Sequence, residues 1–244
     1  MSKPKGDGYV LVFAVVVCLV CSILLAVSES ALKPYKEENV RIDKRFNILK
    51  SLGVEVFTAG HKRIPPKQVN EIYTRDVQEL VLDGGTGAPI EGVKPAQVNP
   101  DEFDARTKLP LYVRRGPDGK PLTYAFPVSG KGLWSTIYGY LALRSDLATV
   151  SGATFYKHGE TPGLGGEVEA EWFQKNFKDK VVFQDGKRVP IRVIKGKVAD
   201  SFPEGNSHAV DGISGATITG NGVTRFLNAD LDRYENFFRT IRSK

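Results

Sequence analysis

The sequence predicts an α+β fold, a mixed or antiparallel sheet with flanking helices, set behind a single N-terminal transmembrane helix. Three observations carry this reading. The twenty residues from Gly8 to Val27 contain no charge; two strand pairs are joined by strong turn sequences; and the last segment repeats its apolar residues at helical spacing. Hairpins with helices beside them indicate α+β, because a doubly wound sheet would alternate strand and helix regularly.

The first element follows from length. A run of about 20 apolar residues matches the rise of a helix across the hydrocarbon core, so GYVLVFAVVVCLVCSILLAV reads as a membrane span. A cleaved signal peptide is the alternative; its apolar core is shorter than this one. Cys18 and Cys21 share a helix face, a spacing open to metal or redox work, and the plainer reading is two small packing residues. Lys3 and Lys5 precede the run, whereas Lys33, Lys36, Arg41, Lys44 and Arg45 follow it. Counting charges alone places the C-terminal side in the cytoplasm, although long domains translocate whatever their flanking charge.

After the anchor, Val40, Phe46, Ile48, Leu49 and Leu52 predict a short amphipathic helix over 37–52, ending at Gly53. The stretch VNEIYTRDVQELVLD lies between helix and strand periods. Seven Gly and Pro residues between Asp83 and Asp104 indicate irregular chain. The expected organisation is therefore an anchor at 1–28, a membrane-proximal region at 29–104 and the main domain at 105–244.

Within that domain, LPLYVRRGPDGKPLTYAFPV reads as a hairpin turning at Gly116-Pro117-Asp118-Gly119. ATVSGATFYKH reads as a strand, and VVFQDGKRVPIRVIKG as a second hairpin about Asp185-Gly186. Val223, Phe226, Leu227, Leu231, Tyr234, Phe237, Phe238 and Ile241 mark a final helix, with Asn221 as its expected cap.

Composition removes several functions. The net charge of +6 comes from 34 basic and 28 acidic residues that are interspersed, with no basic run longer than a pair, so nucleic acid is not an expected partner. With both cysteines in the apolar run, the remainder carries no disulfide framework. His61, His158 and His208 are far apart in sequence, and no metal site is expected. Gly163-Leu164-Gly165-Gly166 lacks the spacing of a dinucleotide or P-loop motif, so neither NADH nor ATP is expected to bind.

Three segments carry the chemistry. Asp211-Gly212-Ile213-Ser214-Gly215-Ala216-Thr217 is small-residue chain that leads into the last helix and leaves the Thr217 hydroxyl uncovered beside a positive helix end. Gly130-Lys131-Gly132-Leu133-Trp134-Ser135 and His158-Gly159-Glu160-Thr161-Pro162-Gly163-Leu164-Gly165-Gly166 are the others. The first resembles the D-x-x-[ST]-G-A-T flavinylation motif of FMN-binding domains. Together, the three resemble the C subunits of the Na+-translocating NADH:quinone reductases, over the anchor and nearly all of residues 105–240. The G subunit of Rnf-type electron-transport complexes shares the flavinylation motif and is the nearer alternative.

The resemblance implies covalent FMN joined through its phosphate to Thr217 by an FAD-dependent flavin transferase, with Ser214, Gly215 and Ala216 lining the attachment segment. Asp211 would serve recognition or metal-assisted transfer, a turn-holding role being the structural alternative. The resemblance also implies an isoalloxazine ring between Trp134 and Leu164, an aromatic face and a branched aliphatic one suited to a flat disc. Glu160 and Thr161 would offer polar contacts to the ribityl chain or ring edge, and Lys131 positive charge. The implied function is a one-electron relay in a respiratory complex coupling NADH oxidation by ubiquinone to Na+ translocation. The implied setting is the bacterial inner membrane, single-pass, with the soluble domain periplasmic and other membrane and flavoprotein subunits as partners. Two readings from other classes stand beside it: an anchored hydrolase using Ser214 or Thr217, for which no His-Asp pair is evident, and a non-redox binding or scaffold domain.

Overall fold

The apolar run lies inside one uninterrupted helix, α1 (Asp7–Ser51), in a computed structural model that describes residues 6–242. Lys3 and Lys5, which enter the charge count, lie outside the described residues. The span is exposed along its length, as a lipid-facing helix requires. The separate helix expected at 37–52 is the continuation of α1. Pro34 does not interrupt it, and the polar stretch around it is rich in Glu, Lys, Ala and Leu, all good helix formers. Ion pairs Lys36–Glu29 and Arg41–Glu38 lie along this stretch.

From Arg45 onward the chain forms one compact unit. Within it, α2 (Pro66–Asp76) passes directly into β1 (Val77–Asp83), which explains the mixed period of that stretch: two elements meet without a loop. A 3-10 turn at Pro95–Gln97 and the short α3 (Pro100–Asp104) follow. Then come β2 (Lys108–Arg115), β3 (Pro121–Lys131), β4 (Thr136–Arg144) and β5 (Val150–Lys157). The five strands make an antiparallel meander in sequence order. Strand β1 pairs with β2 from Val77↔Arg114 to Asp83↔Lys108. The stretch set aside as membrane-proximal thus supplies an edge strand to the main sheet.

The expected hairpin turns where Gly119 has φ 75°, a conformation that suits glycine. Strand β4 is not legible as a strand, because both faces of the sheet are covered and TIYGYLALR therefore lacks alternation. On one face, Leu111, Val113, Phe126, Val128, Leu141 and Phe155 join the core with residues of the C-terminal helices. On the other face, Tyr112, Ala125, Tyr140 and Thr154 are buried. Here Thr123 Oγ1 donates to Leu52 O (3.2 Å) and Thr154 Oγ1 to Asn47 O (3.3 Å), so the last turns of α1 cover it.

Beyond β5 come a 3-10 turn at Gly165–Glu169, α4 (Glu171–Lys175) and the small hairpin β6 (Phe183–Gln184) and β7 (Lys187–Arg188). Asp185 and Gly186 have φ 51° and 76°, the two positive values of a type I′ turn. β8 (Arg192–Val193) pairs in parallel with β9 (Ala209–Val210) across α5 (Val198–Ser201), which makes the fold mixed overall.

The final helix is two, α6 (Thr217–Arg233) and α7 (Glu235–Arg242), broken at the fully buried Tyr234. Its start lies four residues before Asn221, which is inside the first turns and not the cap. α6 lies across β3. Val223, Phe226, Leu227 and Leu231 face the sheet, each such side chain stabilising the fold by about 1.5–3 kcal/mol through burial. The buried Asp230 carboxylate accepts the Ser129 N–H of β3 at 2.7 Å.

Candidate functional site

The 211–217 segment enters α6 from β9. Asp211 Oδ1 accepts the Val198 N–H (2.7 Å), and Gly212 N–H donates to Gly196 O (2.8 Å). Through its Oδ1, Asp211 holds the turn that leads into the segment. Ser214 and Gly215 form an exposed turn, Ala216 is buried and caps α6 without a side-chain acceptor, and Thr217 is the first helical residue, exposed. Gly220 N–H is bonded back to Ala216 O (3.0 Å); the N–H groups of Thr217, Ile218 and Thr219 precede it, where a helix has no carbonyl of its own to offer. An anion on Thr217 would meet those donors and the positive end of the helix.

The second segment is the β3–β4 loop. Gly132 N–H donates to Ser135 O (2.9 Å), closing a tight turn that leaves the Trp134 side chain 67% exposed. Lys131, expected to supply charge to a ligand, extends its ammonium to Trp134 O (3.1 Å), an exposed contact that braces this loop.

The third segment leaves β5. Thr161 O accepts the N–H groups of Leu164 (3.1 Å) and Gly166 (2.9 Å), so Thr161 acts here through its carbonyl. The turn presents Leu164, 44% exposed, against the 211–217 segment: a Cβ built on Gly215 would lie 2.8 Å from Leu164 Cδ2.

Glu160 ties the three together. Only 5% exposed, its Oε1 accepts the N–H groups of Trp134 (2.9 Å) and Ser135 (3.0 Å), while Oε2 accepts Leu133 N–H (3.1 Å) and the Thr219 hydroxyl (2.7 Å). The carboxylate expected to face a ligand is turned inward, because its acceptor capacity is taken by protein donors. Burial opposes its ionisation, but the bonds from Ser135, Thr219, Trp134 and Leu133 outweigh that and hold the carboxyl down at about 2. It is a carboxylate at any physiological pH. Ser135 lies within the second segment, but Thr219 is not singled out by the sequence, and its signal is slight: a hydroxyl two residues past the motif.

The histidines stay apart. His158 Nδ1 accepts the Glu160 N–H (3.2 Å), and His208 Nδ1 lies 2.8 Å from Val181 O. Among the described residues, no group of three His, Cys, Asp or Glu side chains is placed to hold a metal ion.

The site coincides with a family signature. Residues 132–232, which take in Gly132–Ser135 of the second segment and the whole of the other two, match the family model described as FMN-binding domain. Among curated proteins, the chain is 34% identical to the C subunit of the Na(+)-translocating NADH-quinone reductase of Pseudomonas aeruginosa, over 99% of this chain and 98% of that one. It is 36% identical to the corresponding C subunit of Vibrio campbellii, over 84% and 83%. Among solved structures, it resembles the C subunit from Parabacteroides distasonis with a TM-score of 0.70 and 31% identity, covering 85% of this chain and 96% of that one. Shewanella oneidensis NqrC gives 0.68 and 26%, covering 86% and 100%. With these relatives, and with the meander and its three convergent loops in place, the chain belongs to the NqrC family, the C subunits of the Na(+)-translocating NADH-quinone reductases.

Proposed function

We propose that this chain carries FMN esterified to Thr217 and serves as a one-electron relay in an NADH:quinone reductase complex that couples ubiquinone reduction to Na+ translocation. The observation that carries this reading is the exposed Thr217 at the uncapped start of α6, with Leu164 packed over the same segment. The residues fit the cofactor. A phosphate on Thr217 Oγ1 would be received by the first amides of α6. Trp134 and Leu164, both exposed apolar side chains, would flank the ring on its two faces.

Attachment would proceed by transfer from FAD in a dedicated transferase. Thr217 Oγ bonds to the phosphorus on the flavin side as the bond between the two phosphates breaks; AMP leaves and the hydroxyl proton is lost. Bound FMN supplies the capacity to take up and release single electrons. The protein would orient the ring, limit water at its faces and keep the nucleotide from being lost by dissociation. The α1 span would anchor the chain in the bacterial inner membrane with the folded domain on the periplasmic side, among the other subunits of the complex.

The test is chemical. When the full chain is made together with the transferase, the tryptic peptide containing Thr217 should gain the mass of an FMN phosphoester, and a fluorescent band should survive on a denaturing gel. Thr217→Ala should lose both, and a band that persisted in that variant would remove Thr217 from the site.

A further inference from the structure

We propose that Glu160 is a positioning residue: one buried carboxylate fixes the loop bearing Trp134 to the first turn of the helix bearing Thr217, and so sets where the flavin ring can lie. This deepens the reading of Thr217 as the flavin carrier and rests on it.

The geometry is specific. The donors are the main-chain N–H groups of three successive residues, Leu133, Trp134 and Ser135, the Ser135 hydroxyl at a longer 3.4 Å, and a hydroxyl two residues past Thr217. The loop and the helix are far apart in the chain, and the carboxylate is a direct bridge between them. Its surroundings are close: a Cβ on Gly132 would lie 2.7 Å from Oε1, and one on Gly165 2.8 Å from Oε2. Both glycines leave room for the carboxylate and little else. A loop that needed only closing already has the Gly132–Ser135 bond and the Lys131 brace. What Glu160 adds is registry between the loop and α6.

No isostere reproduces it. Gln at 160 has one acceptor oxygen, and its NH2 would face protein donors. Asp is one methylene shorter and would reach the loop or Thr219, not both. Because the side chain is ionised, it also sets a fixed negative charge behind the loop that carries Trp134, which would disfavour adding electrons to a flavin held there.

The test uses the full-length chain, made with and without the transferase, as wild type, Glu160→Gln and Thr219→Val. Without flavin, the amides of Leu133, Trp134 and Ser135 should exchange with deuterium about tenfold faster or more in E160Q, the change expected on losing bonds to a charged acceptor, and near wild-type rates in T219V. With the transferase, both variants should carry flavin on a smaller fraction of chains and show an altered visible band. The flavin of E160Q should have a raised midpoint potential. An E160Q chain with wild-type loading, spectrum and potential would overturn the proposal. Should E160Q fail to fold, T219V decides by loading and spectrum, and wild-type values there overturn it. A wild-type chain bearing no flavin would instead overturn the reading of Thr217, while the amide exchange still reports on the clamp.

Discussion

Gly222 of α6 lies so close to Lys131 of β3 that a Cβ on the glycine would be 2.4 Å from the lysine carbonyl oxygen. In a free helix, Gly→Ala is stabilising by about 1 kcal/mol. Here the sign should reverse. Overpacking typically costs about 1–3 kcal/mol, and the backbone oxygen has nowhere to move without opening the β3–β4 turn. Gly222→Ala should therefore lower the urea midpoint and also reduce flavin loading, since the displaced elements carry Thr217 and Trp134. A variant more stable than wild type would contradict the close approach.

Trp134 should separate function from stability. Its side chain is 67% exposed, so Trp134→Ala should change unfolding free energy by no more than about 0.5 kcal/mol. Flavin should remain on Thr217, because the ester does not involve the indole, yet flavin emission should rise once a stacked quencher is removed. Unchanged emission would place the ring elsewhere.

Two buried carboxyls titrate in opposite senses. Glu160 is held at about 2, below its ordinary 4.5, so its stabilisation is present above pH 4.5 and is lost as pH falls toward 2. Asp230 is pushed up to about 6, chiefly by burial, which outweighs the Ser129 N–H and Arg233 at 3.0 Å. Its contribution is complete below the unfolded value near 3.8 and is lost as pH rises through 6. Wild type should thus be more stable toward urea at pH 5 than at pH 7.5 by a component that Asp230→Asn lacks.

The Tyr234 hydroxyl donates to Pro110 O at 2.6 Å, joining the break between α6 and α7 to β2. The residue is fully buried, so Tyr234→Phe leaves that carbonyl without its donor and should cost about 1–2 kcal/mol in thermal or chemical denaturation. Flavin loading should be unaffected.

What the sequence discloses depends on how local the cause is. The Gly116–Gly119 and Asp185-Gly186 turns are set by two to four residues each, and both hairpins lie where those residues indicate. Pattern fails where burial is two-sided, as in β4, and where two elements abut, as at Asp76/Val77. The start of α6 is misplaced because Ala216 gives no capping signal, whereas Asn221 offers a false one. The three motifs are legible as strings, but the inward turn of Glu160 is not, because its partners lie 25 to 59 residues away.

The meander joins neighbours in order, so its ladder can assemble progressively as the chain emerges. By contrast, Ser129 must wait for Asp230, 101 residues downstream. The docking of α6 therefore follows formation of the β3 ladder, and it is also the event that brings the segment of Thr217 against Leu164. A modifying enzyme that recognises this surface would act only on chains in which the sheet and α6 have already assembled, so a flavin carried on Thr217 would record correct folding.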